Sequence, residues 1–202
     1  RGGSQHICDV NFFSNGVQGG IMPLAAGLAF SEKINETRNI IVVFIGDGTL
    51  GEGVLYETLN IASKWGLPLF IVVENNRYAQ STKIELTLAG RVSDRFTAFG
   101  IETEEIETFD VLEIKGVSIE LIDKVRKTMK PQCLIINTYR FAPHSKSDDG
   151  RSQSEVEKWK LKDPLIIAQK KLDDNVVKAI QIEVQDIISG EINKALEAAT
   201  AE

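Results

Sequence analysis

The 202-residue sequence predicts an α/β fold: a doubly wound, mostly parallel sheet flanked by helices, with further helices at the C-terminus. Three observations carry that expectation. Residues 40–45 (IIVVFI) are apolar, rich in β-branched side chains and too short for a helix, as a parallel strand buried on both faces would be. Residues 67–73 (LPLFIVV) form a second such run, placed so that the two runs and their connection span one strand-helix-strand unit of roughly 30 residues. Between them Val54, Leu55, Leu59, Ile61, Ala62 and Trp65 recur at an acceptable helical spacing. A right-handed crossover makes the two strands parallel, so whatever follows each strand falls on one edge of the sheet. In open α/β sheets that is the edge where ligands bind.

The residues that follow are suited to a phosphate and a hard cation. The first strand stops at Gly46-Asp47-Gly48-Thr49, where glycines permit a sharp turn and close backbone approach, and Asp47 offers a carboxylate. Gly51 and Gly53 read instead as helix-start geometry. The second strand ends in Glu74-Asn75-Asn76-Arg77-Tyr78. Adjacent side chains point apart, so only one of the two asparagines is expected to reach a metal; Asn76 is the candidate. Mg²⁺ favours near-octahedral oxygen at about 2.0–2.1 Å and commonly takes one or two protein oxygens plus phosphate and water. Asp47, Asn76 and a backbone carbonyl near Tyr78 would serve, with a diphosphate completing the shell. Alone, Asp47 would read as a turn aspartate; its pairing with Asn76 at crossover spacing favours a ligand.

At these residues the chain resembles the alpha subunit of the thiamine-diphosphate-dependent decarboxylating (dehydrogenase) component of 2-oxo acid dehydrogenase complexes, of the pyruvate, branched-chain or acetoin type. That family's cofactor motif opens with Gly-Asp-Gly and closes with Asn-Asn, here Gly46-Asp47-Gly48 and Asn75-Asn76. Further blocks match in order: Arg1-Gly2-Gly3-Ser4, Asn15-Gly16-Val17-Gln18-Gly19, Pro23-Leu24-Ala25-Ala26-Gly27, Tyr139-Arg140 and His144-Ser145-Lys146-Ser147-Asp148-Asp149. The resemblance implies a thiamine-diphosphate-binding fold in which Asp47, Asn76 and the main-chain oxygen of Tyr78 bind Mg²⁺. Gly46, Gly48 and Thr49 would line the diphosphate, and Gly16 and Gln18 would meet the aminopyrimidine ring. Arg140 and the catalytic imidazole His144 would stand on the loop at the cofactor's mouth. The carboxylate that activates the aminopyrimidine belongs to the beta subunit in this family, so the chain would hold half of a site in a heterotetramer. Its implied partners are that beta subunit, a lipoyl-bearing acyltransferase and a small 2-oxo acid or acetoin. Ser145 and Ser147 match positions that are kinase targets in some mitochondrial relatives; a phosphate on Ser145 would repel a diphosphate.

The chain also departs from the family pattern. Many relatives carry His-x-His where this chain has Ala142-Pro143-His144, leaving one imidazole, and Gln18 and Gln80 stand where many are apolar. Family members are usually longer, with a preceding segment that makes its own contacts, so weaker cofactor affinity is expected if that segment is missing. Three other readings compete: half of a split transketolase-like enzyme, a Mg²⁺-dependent phosphohydrolase, or an inactive assembly module. A phosphohydrolase of that type needs an Asp-x-Asp pair on an earlier strand, which residues 1–45 lack. Basic residues for a sugar phosphate are not evident near the motifs.

Residues 1–153 are expected to form the diphosphate- and Mg²⁺-binding domain, and residues 154–202 its helical extension. Along the chain the pattern predicts helices over 23–33 and 117–128, a strand and turn over 99–110, and a buried strand over 133–138. Residues 82–93 and 144–154 read as polar loops, and helices are predicted over 154–161, 163–172 with Pro164 in the first turn, and 174–199. A net charge of −6 gives no electrostatic footprint for nucleic acid. No apolar run approaches the roughly 18 residues of a membrane span. Cys8 and Cys133 lie far apart without metal spacing, which suits packing in a reducing cytoplasm.

Overall fold

The structure is a computed structural model that describes residues 5–145 and 149–198. The blocks at residues 1–4 and 146–148, and the expected end of the last helix at Ala199, lie outside the described residues. A short antiparallel hairpin, β1 (Ile7–Asp9) and β2 (Phe12–Ser14), precedes helix α1 (Ile21–Ile34). Then come β3 (Ile41–Gly46), a 3-10 turn (Asp47–Gly51) and α2 (Gly53–Trp65). Gly66, at φ 58, ends α2 in the left-handed conformation that glycine adopts without penalty, and the amide of Leu67 closes on Ala62 O. β4 (Leu69–Asn75) leads into the two-residue strands β5 (Tyr78–Ala79) and β6 (Thr82–Lys83). After α3 (Val92–Thr97) and β7 (Glu102–Glu107), α4 (Val111–Thr128) opens on an Asp110 cap that accepts from the Leu112 amide at 3.0 Å. β8 (Gln132–Asn137) completes the sheet, and α5 (Gln153–Lys160), α6 (Pro164–Gln169) and α7 (Asp174–Glu197) follow.

The main sheet has the order β3-β4-β8-β7 with every pair parallel. Gly46 stands opposite Glu74, Asn75 opposite Asn137, and Asn137 opposite Glu107, so all four strands end level at one edge. One face is covered by α1 and α2, whose Met22, Ala29, Leu55 and Leu59 are fully buried against β3 and β4 residues such as Val43, Ile45 and Ile71. Each such leucine contributes about 1.5–3 kcal/mol through burial. The other face is covered by α4, whose Leu121 and Val125 pack on Phe70, Val72 and Leu134 of the two central strands. The C-terminal helices join through a third cluster, in which Val156 and Trp159 of α5 and Ile167 of α6 pack on Tyr78, Phe109 and Tyr139. No residue of α7 is buried.

Four expectations are corrected. β3 is not buried on both faces: Val42 and Phe44 are 41% and 61% exposed, because β3 is an edge strand and α4 covers only its neighbours. The strand expected to start at residue 99 starts at Glu102, and α4 begins at Val111, six residues ahead of expectation. β7 reads ETEEIE and is mostly exposed, so its alternation was hidden among glutamates. The polar stretch 82–93 contains β6, a 3-10 turn at Ile84–Leu86 and the start of α3.

Candidate functional site

Two turns meet at the C-terminal edge of the sheet. The first leaves β3 at Gly46 and begins with Asp47, which is 5% exposed. Burial pushes the Asp47 carboxyl above its ordinary range; its own amide, those of Gly48 and Tyr78, and the charge of Arg140 pull it back. One carboxylate oxygen, Oδ2, is buried and has no hydrogen-bond partner. An acceptor withdrawn from water without a donor is costly, and a bound cation is one species that relieves it. Thr49 and Leu50, both buried, hold the turn in place.

The second turn leaves β4 at Asn75. Asn75 is buried and does not face the first turn: its Nδ2 donates to Asn137 Oδ1 at 2.7 Å, and its Oδ1 accepts from the Arg77 amide at 3.2 Å. Asn76 Oδ1 accepts from the Tyr78 amide at 3.0 Å. The Tyr78 main chain is also among the groups that pull the Asp47 carboxyl back toward its ordinary range, so the two turns lie side by side. Arg77 at φ 68 and Gln80 at φ 56 are non-glycine residues in left-handed conformation on either side of Tyr78 and Ala79, a strain typical of sites that must aim particular atoms.

The glycine expectations divide. A Cβ on Gly48 would stand 2.5 Å from Gln18 Nε2 and 3.3 Å from Ala79 Cβ, so Gln18, Gly48 and the strand carrying Tyr78 are in contact. Gly46, Gly51 and Gly53 have open space where a Cβ would stand. Gly16 packs on the side chain of Gln5 instead of the two turns.

Arg140, past the end of β8, donates through Nη2 to Gln80 O at 2.6 Å and through Nε to Ala142 O at 3.0 Å. His144 is exposed on the same segment. A further residue, Arg151, which sequence reasoning did not find, ties this segment down. Its side chain is 3% exposed and grips Asp149 through both carboxylate oxygens at 2.7 Å. It also donates to Arg140 O and, at 3.0 Å, to Ala142 O, and lies 5.5 Å and 5.1 Å over the rings of Tyr78 and Tyr139. The Arg151 guanidinium holds the Asp149 carboxyl at about 2. Glu155 Oε1 accepts from the hydroxyls of both tyrosines, at 2.7 Å and 3.1 Å, and burial with that carboxylate raises both phenols. Nothing in a loop sequence marks an arginine that will stack on two rings; only the proximity of Asp149 hinted at it.

One carboxylate, one side-chain amide and one main-chain oxygen form a hard but sparsely charged donor set. Among the described residues no trio of His, Cys, Asp and Glu side chains is placed to hold a metal. A divalent ion here would depend on an anionic ligand such as a phosphate oxygen for the rest of its shell.

The profile of the family described as "Dehydrogenase E1 component" matches residues 1–202. The chain is 36% identical over 200 residues to the pyruvate dehydrogenase E1 component subunit alpha of Rickettsia conorii, covering 93% of this chain and 61% of that relative. It is 37% identical over 172 residues to the Zymomonas mobilis protein of the same name, covering 82% and 49%. To the mitochondrial subunit alpha of Dictyostelium discoideum it is 34% identical over 209 residues, covering 100% and 55%. The chain thus spans about half to three fifths of the length of these relatives. Among solved structures, a transketolase from Leishmania mexicana superposes with a TM-score of 0.53 at 24% identity, over 63% of this chain and 20% of that one; the likeness is one of fold. With a family profile spanning its full length and relatives above 30% identity across most of it, this chain belongs to the dehydrogenase E1 component family.

Proposed function

We propose that this chain anchors thiamine diphosphate through Mg²⁺ as part of an E1 alpha subunit that decarboxylates a small 2-oxo acid. The observation that carries the reading is the buried, half-unpartnered carboxylate of Asp47 at the C-terminal edge of a parallel sheet, beside the turn in which Asn76 Oδ1 accepts from the Tyr78 amide. In this reading Asp47, Asn76 and the Tyr78 carbonyl hold the cation, and the backbone of Gly46, Gly48 and Thr49 lies along the diphosphate. Gly16 and Gln18 border the aminopyrimidine, with Gln18 already against Gly48. Arg140 contributes positive charge at the mouth, and His144 moves a proton there. When bound, the cofactor supplies an acidic thiazolium carbon and a cationic ring that takes up the electron pair released with carbon dioxide. The chain's own work is to fix the charged tail, orient the ring and exclude water.

The reading extends to partners. A beta subunit would complete the site, and a lipoyl-bearing acyltransferase would receive the acyl group; the names of the relatives support both by implication. Both cysteines are free and Cys133 is buried, in keeping with a cytoplasmic setting; no helix among the described residues is long and apolar enough to cross a membrane. Residues 154–202 belong to the same domain, and their described helices are seated through Val156 and Trp159.

Calorimetry of thiamine diphosphate binding, with and without Mg²⁺ and with and without the beta chain, tests the assignment. Binding should require the metal, and Asp47→Ala should weaken it by more than about 100-fold, the cost of removing a buried charged partner. Equal binding by Asp47→Ala, or tight binding without a divalent ion, would overturn it.

A further inference from the structure

The segment that presents Asn76 and Tyr78 has little rigidity of its own, since β5 is two residues long and Arg77 sits in a conformation that non-glycine residues rarely adopt. What holds it is a relay from neighbouring strands. Glu105 Oε1 on β7 accepts from Asn137 Nδ2 at 3.0 Å; Asn137 Oδ1 on β8 accepts from Asn75 Nδ2 at 2.7 Å; Asn75 Oδ1 accepts from the Arg77 amide at 3.2 Å. The relay has one direction. An ionised Glu105 can only accept, so it dictates which end of the Asn137 amide faces it, and Asn137 then dictates the orientation of Asn75. The oxygen of Asn75 is thereby left for the Arg77 amide. The strands also secure the backbone and the far side of the turn: the Thr138 amide donates to Asn75 O at 2.9 Å, and the Arg77 guanidinium pairs with Glu107 at 3.0 Å.

We propose that Asn137 is a positioning residue for the cation-binding turn: oriented by Glu105 and acting through Asn75, it holds Arg77 left-handed and so aims Asn76 Oδ1 and the Tyr78 main chain at Asp47. This rests on the reading of that turn as a Mg²⁺ site. Asn137 touches neither cation nor diphosphate in this scheme, and its effect passes entirely through Asn75. Partners of this outer kind typically change metal affinity by about 10–100-fold when removed.

The test is Mn²⁺ binding to the full chain at saturating thiamine diphosphate, followed by electron paramagnetic resonance and calorimetry, with thermal unfolding recorded for each variant. Asn137→Leu keeps the branched shape and removes both hydrogen bonds; Mn²⁺ affinity should fall about 10–100-fold while the metal-free unfolding midpoint falls by several degrees and the chain stays folded. Glu105 is exposed, so Glu105→Leu spares the fold, leaves both amides in place and removes the one hydrogen bond that orients them. It should cost roughly threefold to tenfold, and Glu105→Gln, which keeps an acceptor, less than that. Should Asn137→Leu fail to fold, the Glu105→Leu affinity decides. Wild-type affinity in Asn137→Leu, or in Glu105→Leu when that variant decides, overturns the positioning role. Wild-type protein that binds no Mn²⁺, or Asp47→Ala that binds it undiminished, overturns the cation site itself, a distinguishable failure.

Discussion

The turns that end β3 and β4 face the same space and are built in opposite ways. After β3, Asp47 is buried with a carboxylate oxygen that nothing in the chain satisfies. After β4, the polar groups of Asn75, Asn76 and Arg77 are nearly all engaged, by Asn137, by Glu107 and by the turn's own amides. The first turn carries a deficit that a ligand must fill; the second is a finished scaffold that holds its half of the ligand set still. A metal site assembled this way separates affinity from geometry: charge comes from one strand end and direction from the next.

The largest expected effect breaks the first turn. Asp47→Asn should abolish metal-dependent cofactor binding yet make the metal-free chain more stable at neutral pH. The sign follows from burial raising the folded-state carboxyl above its ordinary 3.8. The native state then binds the proton more tightly than the unfolded chain, so stability is greatest below 3.8 and falls as pH rises through the raised value. Thermal midpoints against pH should show that decline in the wild type and lose it in Asp47→Asn; parallel curves would mean the carboxylate is satisfied after all. A middling effect is expected behind the second turn. Arg151→Ala removes a buried guanidinium from Asp149, two carbonyls and two rings, and should lower stability by about 2–3 kcal/mol in urea titrations. Arg151→Lys should recover little of it, because an ammonium cannot grip a carboxylate through two parallel bonds or stack on a ring. The smallest effect is an acid limb. With the Asp149 carboxyl held at about 2 in place of 3.8, the pair's contribution is present above 3.8 and disappears as pH falls through about 2. Asp149→Asn should flatten the unfolding midpoint in that window and lower it slightly at pH 7, where the wild-type pair is intact.

The site was legible in the sequence where chemistry and spacing coincide. Asp47 after one apolar run and Asn76 after the next could be placed on a common edge from periodicity and crossover handedness alone. That the two asparagines take different partners, Asn75 on Asn137 and Asn76 on the Tyr78 amide, also followed from adjacency. Asn137 and Arg151 were not legible, because each matters through partners distant in sequence: 62 residues separate Asn137 from Asn75 in the relay, and Arg151 acts on Tyr78 across the chain. β7 was misplaced because four of the six residues of ETEEIE are exposed, so its apolar period is too thin to date its start. Val42 and Phe44 misled in the reverse sense, since an apolar run says a strand is there without saying how many of its faces are covered.

The two margins of the sheet have unequal consequences for how the molecule behaves in a tube. β7 closes one flank with Glu102, Glu104, Glu105 and Glu107, a row of like charge that discourages any incoming strand. β3 closes the other with IVVFIG, bearing no charge, and among the described residues its outer backbone groups have no ladder partner. Such a flank is a template for intermolecular strand addition. In the chain as given, intermolecular pairing at high concentration is expected to run through the six residues of β3, on the side of the sheet where glutamates do not stand guard.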